Sequence, residues 1–566
     1  MSTTTRWNKQ RWMAVGAVAV AATMVLSACG GDNNDSGKKE TNLSLGGLPP
    51  QINAQPRDNI QDGGKYTTAL PEISPQFNPF QADGTLYTSN VWRWYNPVLI
   101  NFAPDGKTEV DADYLTGYDK SLVDGKTVLT YTINPKATFN DGTPIDWTAF
   151  KTTWETNNGK NEAYSASSTD GYSRIVSVVQ GKDAKQAIVT FDGVYAWPDG
   201  LFNFVLHPKA ASPDFYNKGY VDTPHNELGA GPYQIKSYDS KGGTIVFERN
   251  PKWWGNKGKL DERIYRVLQD QAEINAFKAG EIDAVGVSSK ENLAKVQGMT
   301  NIDIRKSSTP SIALLTLNTE SPVLKDVAVR KAILDATDRS TIARVRFQGL
   351  NYTEELPGSF NLYPFQPGYE DNVKGVIDFN TGEANKTLDE AGWKRGSDGI
   401  REKDGKKLEL SMPNFSDSQT IAAVLQAFQS MQRAIGVKIN IVPKTGPSDF
   451  SDVMSKKSFD VLFSGFSASD PFGYAYFCQV YCSDSTLNKS GAGTKEFDAK
   501  IKAVGNIADP AKQIAEGNKL ERELIGTYSI VPLYNGPTQL AVKKGLANVG
   551  AGQFYTAQVE NIGYQK

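Results

Sequence analysis

Residues 418–442, SQTIAAVLQAFQSMQRAIGVKINIV, change their hydrophobic period at a single glycine. Up to that point Ile421, Val424, Leu425, Phe428 and Met431 recur three and four positions apart, the spacing of one face of a helix over 418–435. Gly436 is placed to stop the helix, because a glycine takes the left-handed conformation that ends helices at little cost, and 437–442 reads as the next strand. Working outward, the same helix, glycine, strand order returns at 273–279 with Gly280 before IDAV (282–285). A further helix is expected over 327–347, closing at Gly349. The first half is richer in short strands. Leu129, Tyr131 and Ile133 share one face of a strand over 126–135 that follows an Asp124-Gly125 hairpin turn, and 243–249 repeats the alternation with Ile245 and Phe247 inward. Residues 65–102 mix strand and turn signals, punctuated by Asn78-Pro79 and Asp83-Gly84. The expected fold class is therefore α/β with mixed sheets in at least two lobes.

The chain's 566 residues exceed what one ordinary core organises, since domains run to about 100–200 residues. Hydrophobic residues make up 39%, and with the 51 glycines the share reaches about 48%, an average soluble value that excludes long unfolded or membrane-filled regions. The formal net charge of −2 excludes the basic field of a nucleic-acid binder. Only His207 and His225 are present, too few imidazoles for a zinc hydrolase or a nickel site. Gly-Lys-Thr occurs at 106–108 and 125–127, but the glycine a phosphate loop needs five positions earlier is replaced by Asn101 and Lys120. Gly465-Phe466-Ser467-Ala468-Ser469 approaches a nucleophile elbow and lacks its final glycine. His225-Asn226-Glu227 has no zinc-deaminase partner motif downstream. No catalytic, cofactor or metal set emerges.

The N-terminus reads as a leader. Arg6, Lys9 and Arg11 precede an apolar stretch over 12–26, shorter than the roughly 20 residues a spanning helix needs. It ends in Leu26-Ser27-Ala28-Cys29, which resembles the bacterial lipobox and implies a signal peptide at 1–28, an acyl chain on Cys29, and anchorage to the outer face of the cell membrane. Losing those three cations would take the formal charge from −2 to −5. The tract GGDNNDSGKKETN (30–42) cannot bury enough apolar surface to fold, so 29–57 is expected to be a tether, with the folded body under way by Lys65. Cys478 and Cys482, four apart, are expected to form a disulfide closing a small loop.

A series of segments carries a resemblance. In order they are FNDGTPIDW (139–147) with Ala149, Phe150 and Trp154; GAGPY (229–233), FERNP (247–251) and Trp254-Gly255; and FKAGEID (277–283). Then come Asn318, DVAVRKAI (326–333), Asp338-Arg339, LDEAGW (388–393), Phe459-Asp460 and VPLY (531–534). The run resembles the family 5 extracellular solute-binding proteins of ABC importers, the group that includes oligopeptide- and dipeptide-binding proteins. The resemblance implies a periplasmic-binding-protein-like clam of type II, cluster C, with three domains closing over a ligand. Lobe I would comprise 58–93, 216–312 and 529–566, with an inserted domain at 94–215, and lobe II would be 313–528. It implies a binding protein rather than an enzyme, without cofactor or metal. Its partners would be an oligopeptide-like ligand and ABC permease subunits; it would be a monomer touching the membrane only through Cys29, with no nucleic-acid partner.

In that family an extended peptide pairs its main chain with backbone from the protein, a form of strand addition that is indifferent to side chains. The segments that match are Asp83-Gly84-Thr85 and Gly465-Phe466-Ser467, and Tyr164 is counted with them as a ligand contact. One departure stands out. Where relatives have a Trp, two residues and an Asp that pairs with the peptide ammonium, this chain reads Phe466-Ser467-Ala468-Ser469-Asp470. Either Ser469 has replaced the Asp or Asp470 takes its place one position late, and an inward Asp470 would bind an ammonium. Other ligands stay open: an oligosaccharide stacked on Trp92, Trp94, Tyr95 or Trp147, another small solute or a metal chelate, and, for an exported hydrolase, a substrate.

Overall fold

The structure, a computed structural model, describes residues 47–444, 449–468 and 470–566. Cys29 and the leader lie outside the described residues, as does Ser469. Among the described residues no helix is long and apolar enough to cross a membrane.

Lobe I is built on a seven-stranded mixed sheet. Its order is Ile302–Ser308, Pro537–Lys543, Ala284–Gly286, Lys65–Leu70, Glu262–Val267, Thr244–Arg249, Tyr233–Asp239. The central strand Lys65–Leu70 runs parallel to Glu262–Val267, with Lys65 opposite Glu262. Helix Leu86–Tyr95 lays Val91, Trp92, Trp94 and Tyr95 into the core of this lobe. The inserted domain is a four-stranded antiparallel sheet, Leu115–Val123, Lys126–Ile133, Gln186–Phe191, Ile175–Gln180, carrying helix Trp147–Asn157. Its first hairpin turns at Asp124 (φ 49°) and Gly125 (φ 73°), both left-handed as a two-residue turn between twisted strands requires.

Lobe II holds a three-stranded antiparallel sheet with Ser311–Leu317 in the middle, Ile530–Tyr534 on one side and Val461–Ser467 on the other. A parallel pair, Glu409–Asn414 with Lys438–Pro443, lies beside it. Helix Gln419–Ala434 starts where the Ser418 hydroxyl accepts the Ile421 N–H, and Gly436 follows it at φ +83°. It buries Val424, Leu425 and Phe428, and the Phe428 ring meets Phe463 edge-on at 5.1 Å. Burying each such side chain contributes about 1.5–3 kcal/mol.

Two chain crossings join the lobes. Thr309-Pro310 leads from Ile302–Ser308 in lobe I to Ser311–Leu317 in lobe II, and Asn535-Gly536 leads from Ile530–Tyr534 back to Pro537–Lys543. The carboxylate of Glu354 accepts the backbone N–H of Asn535 (2.9 Å) and of Gly536 (2.7 Å), and the Tyr352 hydroxyl donates to it at 3.0 Å.

Several expected limits move. Lobe II runs past 528, because Ile530–Tyr534 pairs with Ser311–Leu317, so the chain recrosses at Asn535-Gly536 rather than at 529. The insert begins after Tyr95 rather than Arg93, since Trp94 and Tyr95 belong to the core of lobe I. The expected tether does not reach 57: Ile52 is buried and Gln51 bridges Ala551. The helix expected over 327–347 is two helices, Val327–Asp335 and Arg339–Arg346, because Asp338 turns its carboxylate onto the Thr341 N–H (3.1 Å) and caps a new start.

The seam between the insert and the C-terminal part of lobe I buries two carboxyls, Asp111 and Glu560. Burial pushes Asp111 up to about 7, and burial together with the Asp111 charge pushes Glu560 up to about 8. The folded state therefore holds these protons more tightly than the unfolded chain. The stability this confers is complete below the ordinary carboxyl value of 4.5 and is lost as pH rises through about 8. The melting temperature should accordingly decline across that window, and Glu560→Gln should flatten the decline; an unchanged slope in scanning calorimetry would show that Glu560 is ionised in the fold.

Candidate functional site

A cavity of about 560 Å³ lies where lobe I, the insert and lobe II meet. Helix Leu86–Tyr95 lines it with Leu86, Ser89, Asn90 and Arg93, positions that share one helical face. The next strand of that wall brings Arg263 and Tyr265. The insert contributes Asp170, Tyr172 and Phe204, and lobe II contributes Ala468, Asp470, Tyr476 and Gln479.

The polar groups are arranged unevenly. The Arg263 guanidinium lies 3.7 Å from the Tyr265 ring centroid and 4.2 Å from that of Tyr66. It donates to the carbonyls of Tyr66 (2.9 Å) and Ile264 (2.6 Å), so both its Nη1 bonds go to the chain, while its Nε is buried without an acceptor. Arg93 lies 5.2 Å over the Phe204 ring, with its Nη1 buried and without an acceptor, and burial lowers its pKa to about 10. On the opposite wall, Asp470 accepts the Phe472 N–H (3.0 Å) and the Tyr476 hydroxyl. Asp170 accepts the Ser168 hydroxyl (3.0 Å) and a hydrogen bond from Gln479 of lobe II, and burial raises its pKa.

The walls touch around the rim. Trp197 of the insert donates its indole N–H to Gln513 of lobe II, and its ring lies 5.6 Å from Phe472. Phe102 reaches Phe472 at 5.8 Å, and Arg174 donates to the Gly505 carbonyl at 3.3 Å. These contacts hold the lobes closed over the cavity.

Beside the cavity runs the strand Val461–Ser467, at the edge of its sheet. The Ala468 N–H bonds the Pro310 carbonyl (2.8 Å), while the Ser311 carbonyl turns the other way to accept from Asn535 (2.8 Å). The alternation of an antiparallel ladder then makes Phe466 the bonded partner of Ile312 and turns the N–H and C=O of Gly465 and Ser467 to the outer edge.

The pattern of the bacterial extracellular solute-binding proteins, family 5 (middle), matches residues 116–488. The chain belongs to the family 5 solute-binding proteins. Its sequence is 33% identical over 570 aligned positions to the oligopeptide-binding protein OppA of Mycobacterium tuberculosis, covering 99% of this chain and 95% of that one. It is 25% identical to the periplasmic oligopeptide-binding protein OppA of Escherichia coli over 72% of this chain and 76% of the other. Among solved structures it is similar to the periplasmic EDTA-binding protein EppA, with a TM-score of 0.80 and 23% identity over 92% of this chain and 99% of that one. The oligopeptide-binding protein AppA of Bacillus subtilis, in complex with a nonapeptide, matches with a TM-score of 0.74 and 19% identity, covering 90% of this chain and all (100%) of that one. The two-lobed clam with mixed sheets is thus the fold of this family 5 protein.

The expected site residues divide. Asp470 lines the cavity, although it is almost wholly buried. Gly465, Phe466 and Ser467 lie on the edge strand; a Cβ on Gly465 would stand 2.7 Å from the Ile312 carbonyl oxygen, so that glycine serves the close approach of the neighbouring strand. Asp83, Gly84 and Thr85 do not line the cavity. They form the start of helix Leu86–Tyr95, where Thr85 and Thr88 make a reciprocal capping box. A Cβ on Gly84 would lie 2.8 Å from the Asn78 carbonyl oxygen, so the close approach is to its own turn and not to a ligand. Tyr164 also lies off the cavity, its hydroxyl bonded to the Ala211 carbonyl (2.5 Å) and its ring edge-on to Tyr216. Of the aromatics considered as stacking platforms, Trp92 and Tyr95 are buried in lobe I, Trp147 packs in the insert, and Trp94 reaches the cavity with its N–H bonded to Tyr265 (3.2 Å). Cys478 and Cys482 are joined by a disulfide across the short helix Phe477–Tyr481, next to Tyr476. Sequence reasoning missed Arg93, Asp170 and Gln479. For Arg93 a signal existed: a lone cation inside the aromatic run VWRWY (91–95), with no acid three or four positions away.

Proposed function

We propose that this family 5 protein captures oligopeptides outside the cytoplasm and delivers them unaltered to an ABC permease, working as a monomer held to the membrane by an acyl chain on Cys29. The full-length identity to an oligopeptide-binding protein carries the reading. The geometry supports it in two ways. The cavity falls in the range of about 300–1,000 Å³ typical of pockets that enclose a small ligand. The outward N–H and C=O groups of Gly465 and Ser467 offer an extended peptide the backbone pairing that ignores side chains. Binding without chemistry accords with two carboxylates, Asp170 and Asp470, already committed to hydroxyl, amide and backbone donors.

Native mass spectrometry of the protein purified from its host should release a ladder of peptide masses; hexose spacing, or conversion of the trapped molecule, would refute the reading. A second test removes one edge donor. A proline at an edge strand loses no ladder bond when its N–H faces outward, so Ser467→Pro should cost the ligand-free protein only about 1 kcal/mol, mainly the Ser311–Ser467 hydroxyl contact. The same change should weaken peptide binding about 3- to 10-fold, as read by calorimetry. Unchanged affinity would take the edge strand out of recognition. For the anchor, Cys29→Ser should leave the membrane fraction and lose the acyl mass; retention in membranes would remove Cys29 from that role.

A further inference from the structure

We propose that Arg93 is the docking point for a carboxylate carried by the ligand, so that the cavity selects molecules with an anionic group on their lobe I side. The inference rests on the oligopeptide reading for the kind of ligand, and on the chain's own atoms for the charge. Among the described residues every other arginine donates at least one hydrogen bond. The buried ones show the rule: Arg401 reaches Asp389 (2.6 Å) and the Trp393 carbonyl (2.6 Å), Arg330 the Leu324 carbonyl (2.6 Å), and Arg305 the Leu546 carbonyl (2.7 Å). Arg93 donates none, and its Nη1 is fully enclosed.

The surroundings supply no counter-charge. Its own helix, Leu86–Tyr95, contains no acid, and the groups placed against the Arg93 guanidinium are the Phe204 ring and the Tyr265 phenol. Asp111 and Glu560 border a small adjoining cavity together with Arg93, yet no hydrogen bond or ion pair joins them to it. Burial holds both carboxyls toward the neutral form. A desolvated cation without a partner is costly, and a fold retains one where a partner arrives from outside. The Phe204 ring lies 5.2 Å from the guanidinium, and a planar fork of donors matches a carboxylate at two points. With its pKa still at about 10, the group remains a cation at neutral pH. Asp470 of lobe II and Asp170 of the insert also line the cavity, and no ion pair joins either to Arg93.

The carboxylate has two sources in a peptide, the main-chain terminus or an acidic side chain, and three probes separate them: tetra-alanine, its C-terminal amide, and the amide of Ala-Glu-Ala-Ala. In calorimetry the wild-type protein should bind at least one of the two carboxylate-bearing probes tenfold or more tightly than the neutral amide, and which one identifies the source. Arg93→Gln should erase that preference, lowering affinity for the carboxylate-bearing probe at least tenfold more than for the neutral amide. Arg93→Lys, which keeps the charge and loses the fork, should retain part of the preference. Ligand-free Arg93→Gln should melt close to wild type, since no side-chain hydrogen bond of the fold is lost with it. Equal loss for charged and neutral probes, or a wild type indifferent to charge, would overturn the assignment and leave Arg93 a piece of wall. Should no peptide bind the wild type, the oligopeptide reading fails by itself, and Arg93 is then judged on whatever copurifies. An anionic molecule present in the wild type and absent from Arg93→Gln supports the inference; a neutral or cationic one retained by both overturns it.

Discussion

The two chain crossings between the lobes constrain everything else in the molecule. Each lobe owns a core that its own helices close, so the lobes are rigid, while Thr309-Pro310 and Asn535-Gly536 are short segments between strands that belong to different sheets. Proline fixes one torsion in the first crossing, and Gly536, at φ +88°, takes a conformation in the second that a side chain would resist. The Glu354 carboxylate gathers the two N–H groups of the second crossing, so motion is confined to a few torsions at defined places. Relative movement of the lobes thus reduces to opening and closing of the crevice in which the cavity lies.

What the crevice contains follows from the same constraint. A surface that must be wet when open and dry when closed cannot be built as an ordinary core. Its aromatic lining, Tyr172, Phe204 and Tyr265, supplies apolar contact, and its charged groups differ in how far they are satisfied within the fold. Arg263 and Asp470 are bonded in place by the chain, whereas Arg93 is not. The inequality is informative because, among the described arginines, Arg93 is the one whose side chain donates no hydrogen bond. A group left over at the meeting point of three domains marks a place completed by something else.

How much of this was legible beforehand depended on the range of the physics involved. Local signals were read correctly where they had no competitor: the period change at Gly436, the Asp124-Gly125 turn, and the helix over 418–435, which the structure bounds at Gln419–Ala434. The break at Asp338 was missed because the apolar period continues across it, while a side-chain cap competes with the helix by hydrogen bonding its own backbone. The recrossing at 535–536 was missed for another reason. Ile530–Tyr534 reads as a buried strand in either lobe, and only pairing with residues more than 200 positions away decides which. The segment Asp83-Gly84-Thr85 forms a helix start off the cavity, and a turn glycine before a helix cap has the same composition as one that admits a ligand backbone. Cleft residues from three separate stretches, Arg93, Asp170 and Gln479, come together only through the tertiary fold.

The claim on which the account depends is that two rigid halves close about these crossings when the cavity is filled. Small-angle X-ray scattering of the protein, first stripped of ligand by partial unfolding and refolding and then given a mixture of tri- to pentapeptides, tests it most directly. The account requires a smaller radius of gyration in the filled state, with a scattering curve that the closed structure reproduces. Identical curves before and after loading, with binding confirmed in the same samples, would contradict it.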